Sequence, residues 1–198
     1  MNKKIGVFLS RMQPIHIGHL GIIEKALSEN DKVLIIIGSK NKKETMRNPF
    51  NVTIRREILE ESLVERFGEN YKDKIIITEL PDWSMETDLE QNLEWGRYLY
   101  YNIVSIIEQK NFSIYFSDEK EIIEAWFEDS LKSRIDFRLF ERNKMFEAVS
   151  STKIRQAFLD CDKDYVENSC PKAVFRRYDE LKEIIENVNK NPKNDFSM

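Results

Sequence analysis

The chain has 198 residues, 41% hydrophobic and 33% charged, enough to bury one core without disulfide staples and too apolar for a disordered chain. Lys and Arg number 31 against 35 Asp and Glu, a formal net charge of −4, which argues against general nucleic-acid binding but leaves room for a local anion pocket. Cys161 and Cys170 are too few for a disulfide framework or a cysteine metal cluster and are expected to be reduced thiols. The basic start leads into an apolar stretch that is broken at Ser10 and Arg11, too short for a signal peptide. The longest apolar run, 33–37, is far below membrane-spanning length, so a cytoplasmic protein is expected.

Taken in chain order, residues 5–9 read as a first strand. Leu20, Ile23, Ala26 and Leu27 share one face and predict a helix over 19–30. Residues 33–37 (VLIII) have the composition of a strand buried on both faces, ended by Gly38. Asn51 is placed to cap a helix to about 67, with Ile54, Ile58, Leu59 and Leu63 on its apolar side. A third strand over 75–80 stops at Pro81, and a long helix follows over 88–109. A strand over 112–116, a helix over 119–129 and a strand over 135–140 come next. Beyond Thr152 the chain reads as helical, Pro171 opens a last amphipathic helix to about 189, and the polar tail is expected to fray.

This alternation predicts an α/β fold. Its form is a Rossmann-like, doubly wound parallel sheet with helices on both faces, closed by a short helical C-terminal part over about 150–189. One domain over 1–198 is expected. In such sheets ligands bind beyond the carboxyl ends of the strands, near the point where the strand order reverses. The loops 10–18, 38–50, 81–87, 117–118 and 141–150 are therefore where function should lie.

The chain's two histidines, His16 and His19, fall together in Arg11-Met-Gln-Pro-Ile-His-Ile-Gly-His19, after the first strand and at the opening of the first helix. Two histidines at this spacing lack a third zinc ligand nearby and the Glu of a metalloprotease helix. A phosphate site fits better. A helix start has bare N–H groups and a positive dipole end, Gly18 lacks a Cβ, the imidazoles can donate, and Arg11 brings a planar cation. A second string, Val149-Ser-Ser-Thr-Lys-Ile-Arg155, places Ser150 or Ser151 as an N-cap. Alone it reads as an ordinary capped helix. Beside the first string it also supplies the hydroxyls, N–H groups and cations that a polyphosphate needs. Lys40, Lys42 and Lys43 read as a solvated basic loop.

Arg11-x-Gln-Pro-x-His-x-Gly-His19 resembles the HxGH signature of the nucleotidylyltransferase superfamily, and Ser-Ser-Thr-Lys-Ile-Arg155 resembles its second signature. Gly38-Ser39, then Thr45-Met-Arg-Asn-Pro-Phe50 and Arg55 or Arg56, is similar to the archaeal-type nicotinamide-nucleotide adenylyltransferases. So are Pro81-Asp82 and Asn92-x-x-Trp95. Ser10 stands where many relatives have Gly, and the segments 82–92 and 142–150 are longer than in the family.

The resemblance implies adenylyl transfer from ATP to nicotinamide mononucleotide (NMN), giving NAD and pyrophosphate, with Mg²⁺ carried on the phosphates and no protein metal ligands assigned. It implies that Ser10, Arg11, Met12, His16, Gly18, His19, Ser151, Thr152 and Arg155 bind ATP, and that His16, His19, Arg11 and Arg155 are the catalytic contacts. It implies that Gly38, Ser39, Arg47, Asn48, Asp82, Asn92 and Trp95 bind the mononucleotide. Trp95 stacks on the ring in this reading, with Trp83 as the rival and burial in the core as the plain alternative. An acidic Asp82 should disfavour nicotinate by like-charge repulsion. No nucleic-acid or membrane partner is implied. Relatives are often oligomeric, and the last helix is a candidate interface as much as a cover for the core. Three alternatives stay open. One is a sister transferase acting on phosphopantetheine or using CTP. The second is a fragment of a class I aminoacyl-tRNA synthetase. The third is a nucleotide sensor without turnover.

Overall fold

The computed structural model describes residues 3–82, 89–117, 120–140 and 149–191. Five parallel strands, β1 (Ile5–Ser10), β2 (Lys32–Ile37), β3 (Ile75–Glu79), β4 (Phe112–Phe116) and β5 (Ile135–Leu139), lie in the order β3-β2-β1-β4-β5. β1 is central, with Val7 in register between Leu34 and Ile114. The run VLIII is continuous because both of its faces are covered. Val33, Ile35 and Ile37 join one core with α1 (Ile17–Glu29), α2 (Val52–Phe67) and the C-terminal helices. Leu34 and Ile36 join the other core with α3 (Leu89–Ile107), α4 (Lys120–Glu124) and α5 (Asp129–Lys132). The doubly wound α/β architecture is therefore as expected, and the switch point falls between β1 and β4.

Most element boundaries follow local chemistry. Asn51 caps α2, its side chain accepting from the Ile54 N–H at 3.0 Å, and Gly68 ends it at φ 77°, a left-handed value that favours glycine. Glu108 turns to φ 55° just beyond α3. The C-terminal part comprises α6 (Ser151–Leu159), α7 (Lys163–Ser169), α8 (Lys172–Arg176) and α9 (Tyr178–Lys190).

Two expectations need correction. The helix expected over 119–129 is two short ones, because the Trp126 and Phe127 N–H groups donate three residues back, to Ile123 and Glu124, and close α4 in a turn. The last helix is likewise two. Arg177 breaks it at φ −98°, ψ 20°, and its guanidinium reaches Glu57 of α2 as well as Glu180. Arg176 beside it pairs with Glu61 and Glu65 of α2. These pairs add little stability each but tie the C-terminal helices to α2. Cys161 is exposed and Cys170 buried, both as free thiols, and burial pushes the Cys170 thiol up. Among the described residues no helix is long and apolar enough to cross a membrane.

Candidate active site

A cleft of about 620 Å³ opens at the carboxyl ends of β1, β2 and β4. Its first wall is the exit of β1. Met12 takes φ 51°, a left-handed conformation that costs a non-glycine residue about 1–2 kcal/mol, and is fully buried there. Gln13 is also buried. Its Nε2 donates to the Phe50 carbonyl (2.9 Å) and its Oε1 accepts from the Phe50 N–H (3.0 Å), so the β1 loop and the 38–50 loop are clamped together.

His16 is extended (φ −145°, ψ 172°) and caps α1. The helix starts at Ile17 for this reason, although apolar periodicity places the start near 19. The His16 N–H donates to His19 Nδ1 at 3.2 Å. With Nδ1 accepting, the proton of the neutral His19 ring sits on Nε2, which donates to Ser10 Oγ at 2.9 Å. The two rings stack at 3.7 Å, and both histidines are buried. Gly18 does not line the cleft. A Cβ there would stand 3.1 Å from the His16 ring, so this glycine makes room for His16.

The second string docks on the first. Ser150 caps α6, its Oγ accepting from the Lys153 N–H at 3.2 Å. Ser151 Oγ donates to the Pro14 carbonyl (3.1 Å), and Arg155 donates to the Gln13 carbonyl (2.8 Å) and to Thr152 Oγ1 (3.2 Å). Two strings more than a hundred residues apart thus meet as one surface, with the N-termini of α1 and α6 at its edge.

The cleft also carries the other predicted residues. Gly38, Ser39, Arg47, Asn48, Asp82, Asn92 and Trp95 all line the cleft. Ser39 sits at φ 51°, and its Oγ donates to Asp82 Oδ2 at 2.7 Å. The Asp82 N–H donates to Asn41 Oδ1 at 2.9 Å. Ser39 therefore holds the carboxylate and Asn41 the backbone of Asp82. Asn48 is buried, its N–H held by Thr45 Oγ1, and its Oδ1 has no hydrogen-bond partner among the described residues. An orphan acceptor at a cleft wall is open to a ligand donor. Trp95 is half-buried and meets Trp126 edge-on at 6.3 Å and 80°.

Arg55 lies beneath both halves, 2% exposed. It donates from Nη1 to the Arg11 (2.8 Å) and Gly38 (2.7 Å) carbonyls, from Nη2 to the Ser39 carbonyl (3.0 Å), and from Nε to the Asn51 carbonyl (3.3 Å). Burial pushes its pKa down to about 10, partly offset by Asp82 and Glu79, so it stays a cation at neutral pH. With Arg11, Arg47 and Arg155 in the lining and Asp82 the carboxylate among the described lining residues, the cleft favours anions.

The lysine loop departs from expectation. Lys40 and Lys43 are exposed and pair with Glu79 (3.1 Å) and Glu44 (3.5 Å), but Lys42 is buried, so the loop is not uniformly solvated. Trp83, the rival for ring stacking, lies outside the described residues. Sequence reasoning assigned no role to Gln13, Arg55 or Trp126. Gln13 and Arg55 stood inside the quoted motifs. Trp126 carried only the weak signal of an indole in the charged segment after the fourth strand.

Two helix starts rich in phosphate donors, sharing a cleft with an aromatic and acidic half-site at the switch point, define a nucleotide-handling α/β protein. Residues 7–157 match the cytidylyltransferase-like family, and the chain belongs to that family. It is similar to proteins named nicotinamide-nucleotide adenylyltransferase. With that of Thermococcus sibiricus it shares 29% identity over 179 residues, 90% of this chain and 85% of the relative. With that of Saccharolobus solfataricus it shares 29% over 177 residues, 89% and 91% of the two chains. Among solved structures, a bifunctional NMN adenylyltransferase/ADP ribose pyrophosphatase from Francisella tularensis, complexed with AMP and a manganese ion, superposes with a TM-score of 0.68. At 21% identity that likeness concerns the fold, over 95% of this chain and 51% of that one, so this chain spans about half of the bifunctional protein.

Proposed function

We propose that this chain transfers the adenylyl group of ATP to nicotinamide mononucleotide, yielding NAD and pyrophosphate. The observation that carries the reading is that the stitched surface of His16, His19, Ser151, Thr152 and Arg155 shares one cleft with Asp82, Asn92 and Trp95. A phosphate surface alone fits any nucleotidyl transfer. The acidic and aromatic group fits a flat pyridinium ring bearing a carboxamide.

The mononucleotide's 5′-phosphate oxygen attacks the α-phosphorus of ATP in line. One P–O bond forms, the bond to the α,β-bridging oxygen breaks, and pyrophosphate leaves with the electron pair. The nucleophile is already an anion, so the site needs no general base. Holding two anions together and stabilising the charge on the α-phosphate and the leaving group is the work required. His19 turns its Nε2–H from Ser10 to an α-phosphate oxygen, and His16 with the α1 N-terminus joins it. Ser151, Thr152 and Arg155 hold the β- and γ-phosphates. Arg11 and Arg47 stand at the phosphates of the two substrates. Asp82, with Oδ2 held by Ser39, accepts from the carboxamide through Oδ1, Asn92 is a second polar contact to the carboxamide, and Trp95 stacks on the ring. Among the described residues no group of three or more His, Cys, Asp or Glu could hold a metal. The donors of the cleft, imidazoles, hydroxyls and guanidiniums, suit a polyphosphate that brings its own cation. Mg²⁺ bound to ATP would neutralise phosphate charge there.

Incubation with ATP, Mg²⁺ and NMN should form NAD, read by mass spectrometry. ATP consumption indifferent to the mononucleotide would overturn the reading. Trp95→Ala should raise the KM for NMN about tenfold, through lost stacking and cation–π attraction, and leave the KM for ATP nearly unchanged. Steady-state kinetics with each substrate varied in turn checks this. An unchanged KM for NMN would move the stacking role to another residue.

A further inference from the structure

We infer that Gly96 is a positioning residue for the ring-binding half of the cleft, acting through Trp126; the inference rests on the proposal that a pyridine mononucleotide is one substrate. Gly96 is buried inside α3, where glycine is a poorer helix residue than alanine. A Cβ built on it would overlap the Trp126 carbonyl oxygen, and would stand 2.5 Å from the Trp126 carbonyl carbon and 3.3 Å from the Phe127 nitrogen. The absent side chain therefore seats the backbone of the 125–128 turn directly against the helix.

The turn has no easy retreat. Phe127 is 1% exposed and set in the second core, 5.9 Å from Phe137, and its N–H is held by the Glu124 carbonyl at 3.1 Å. Next to Gly96, Arg97 donates to Glu128 Oε2 from Nε (3.2 Å) and Nη2 (3.0 Å). The turn is fastened on both sides of Trp126. On the other side of Gly96 stands Trp95, edge-on to the Trp126 ring at 6.3 Å. Both indoles line the cleft. Three consecutive residues of α3 thus grip one turn, and Gly96 sets how close it comes. That spacing fixes a right-angled corner of two indoles, one presenting a face and the other an edge to a flat cationic ring. A side chain at 96 must push the helix and the turn apart and open the corner, while the phosphate surface at α1 and α6 lies on other elements.

The test compares Gly96→Ala in the wild-type and Trp126→Ala backgrounds. The single variant should raise the KM for NMN about tenfold, with kcat and the KM for ATP held within about twofold. In the Trp126→Ala background Gly96→Ala should add no further rise in that KM, even though it lowers Tm in both. An unchanged KM for NMN in the single variant, or an equal rise in both backgrounds, overturns the inference. If the single variant does not fold but the double variant does, the conflict lies in the turn that bears the ring, and the inference stands. If neither folds, Gly96 serves the fold alone and the inference fails. A wild-type chain that does not use a pyridine mononucleotide would instead remove the functional reading. The near-UV circular dichroism of the coupled indoles then decides for Gly96: a spectrum altered by Gly96→Ala supports its role, and an unaltered one overturns it.

Discussion

His19→Ala should lower kcat about a hundred- to a thousandfold, the range for removing one oriented donor from a developing oxyanion, with a smaller change in either KM. The ring is held on three sides. Its Nδ1 accepts from the His16 N–H (3.2 Å), its Nε2 donates to Ser10 Oγ (2.9 Å), and its face stacks on His16 (3.7 Å). This fixes the tautomer and holds the ring in place before a substrate arrives, so the Nε2–H has only to pass from Ser10 to the α-phosphate as the substrate binds. Ser10 serves in this account as a placeholder partner that keeps the Nε2–H oriented and gives it up to the substrate. Because His19 also accepts the N–H of the residue that caps α1, the alanine variant loses some stability, about 1 kcal/mol. Thermal unfolding run beside the kinetics separates that loss from the chemical one. Turnover near that of the wild type would contradict the phosphate role.

Arg55→Met should destabilise the chain by about 3 kcal/mol or more and lower Tm by about 10 °C. The guanidinium satisfies carbonyls on two loops at once, and the residues it grips matter. The Arg11 and Gly38 carbonyls directly precede Met12 and Ser39, both held at φ 51°. Each of those left-handed residues is strained, and Arg55 is the group that bonds the peptide just before each. Methionine matches much of the volume but leaves these carbonyls buried without their donor. Arg55→Lys keeps the charge and loses the fork, so it should recover only part of the loss. In Arg55→Lys both KM values should rise, since one residue aligns the loop of each substrate. A Tm within about a degree of the wild type in Arg55→Met would show that the loops hold their shape without it.

The sheet was legible because its strands are short β-branched runs buried on both faces, and VLIII can serve little else. Asn51 and Ser150 were legible as caps because capping is decided within three residues. The two strings that meet at the cleft were legible as local motifs for the same reason: each opens a helix. What the sequence did not disclose depends on partners far along the chain. Arg55 reads as one of several charges on α2 until the carbonyls of Arg11, Gly38 and Ser39 surround it. Trp126 reads as part of a longer helix until the turn at 125–128 forms against Gly96. Arg177 interrupts an otherwise amphipathic run at φ −98°, ψ 20°, and its pairing with Glu57 of α2 joins residues far apart in the chain. Gly18 reads as room for a ligand until the His16 ring packs 3.1 Å from where its Cβ would stand.

The central claim is adenylyl transfer to a pyridine mononucleotide. Its most direct test is pyrophosphate release from ATP and Mg²⁺, measured in parallel with nicotinamide mononucleotide, nicotinate mononucleotide, phosphopantetheine and no acceptor. Rapid release is expected only with the pyridine mononucleotides, and faster with the nicotinamide form, because the Asp82 carboxylate that Ser39 orients repels a nicotinate. Release with phosphopantetheine, or none with any acceptor while ATP still binds, would contradict the account.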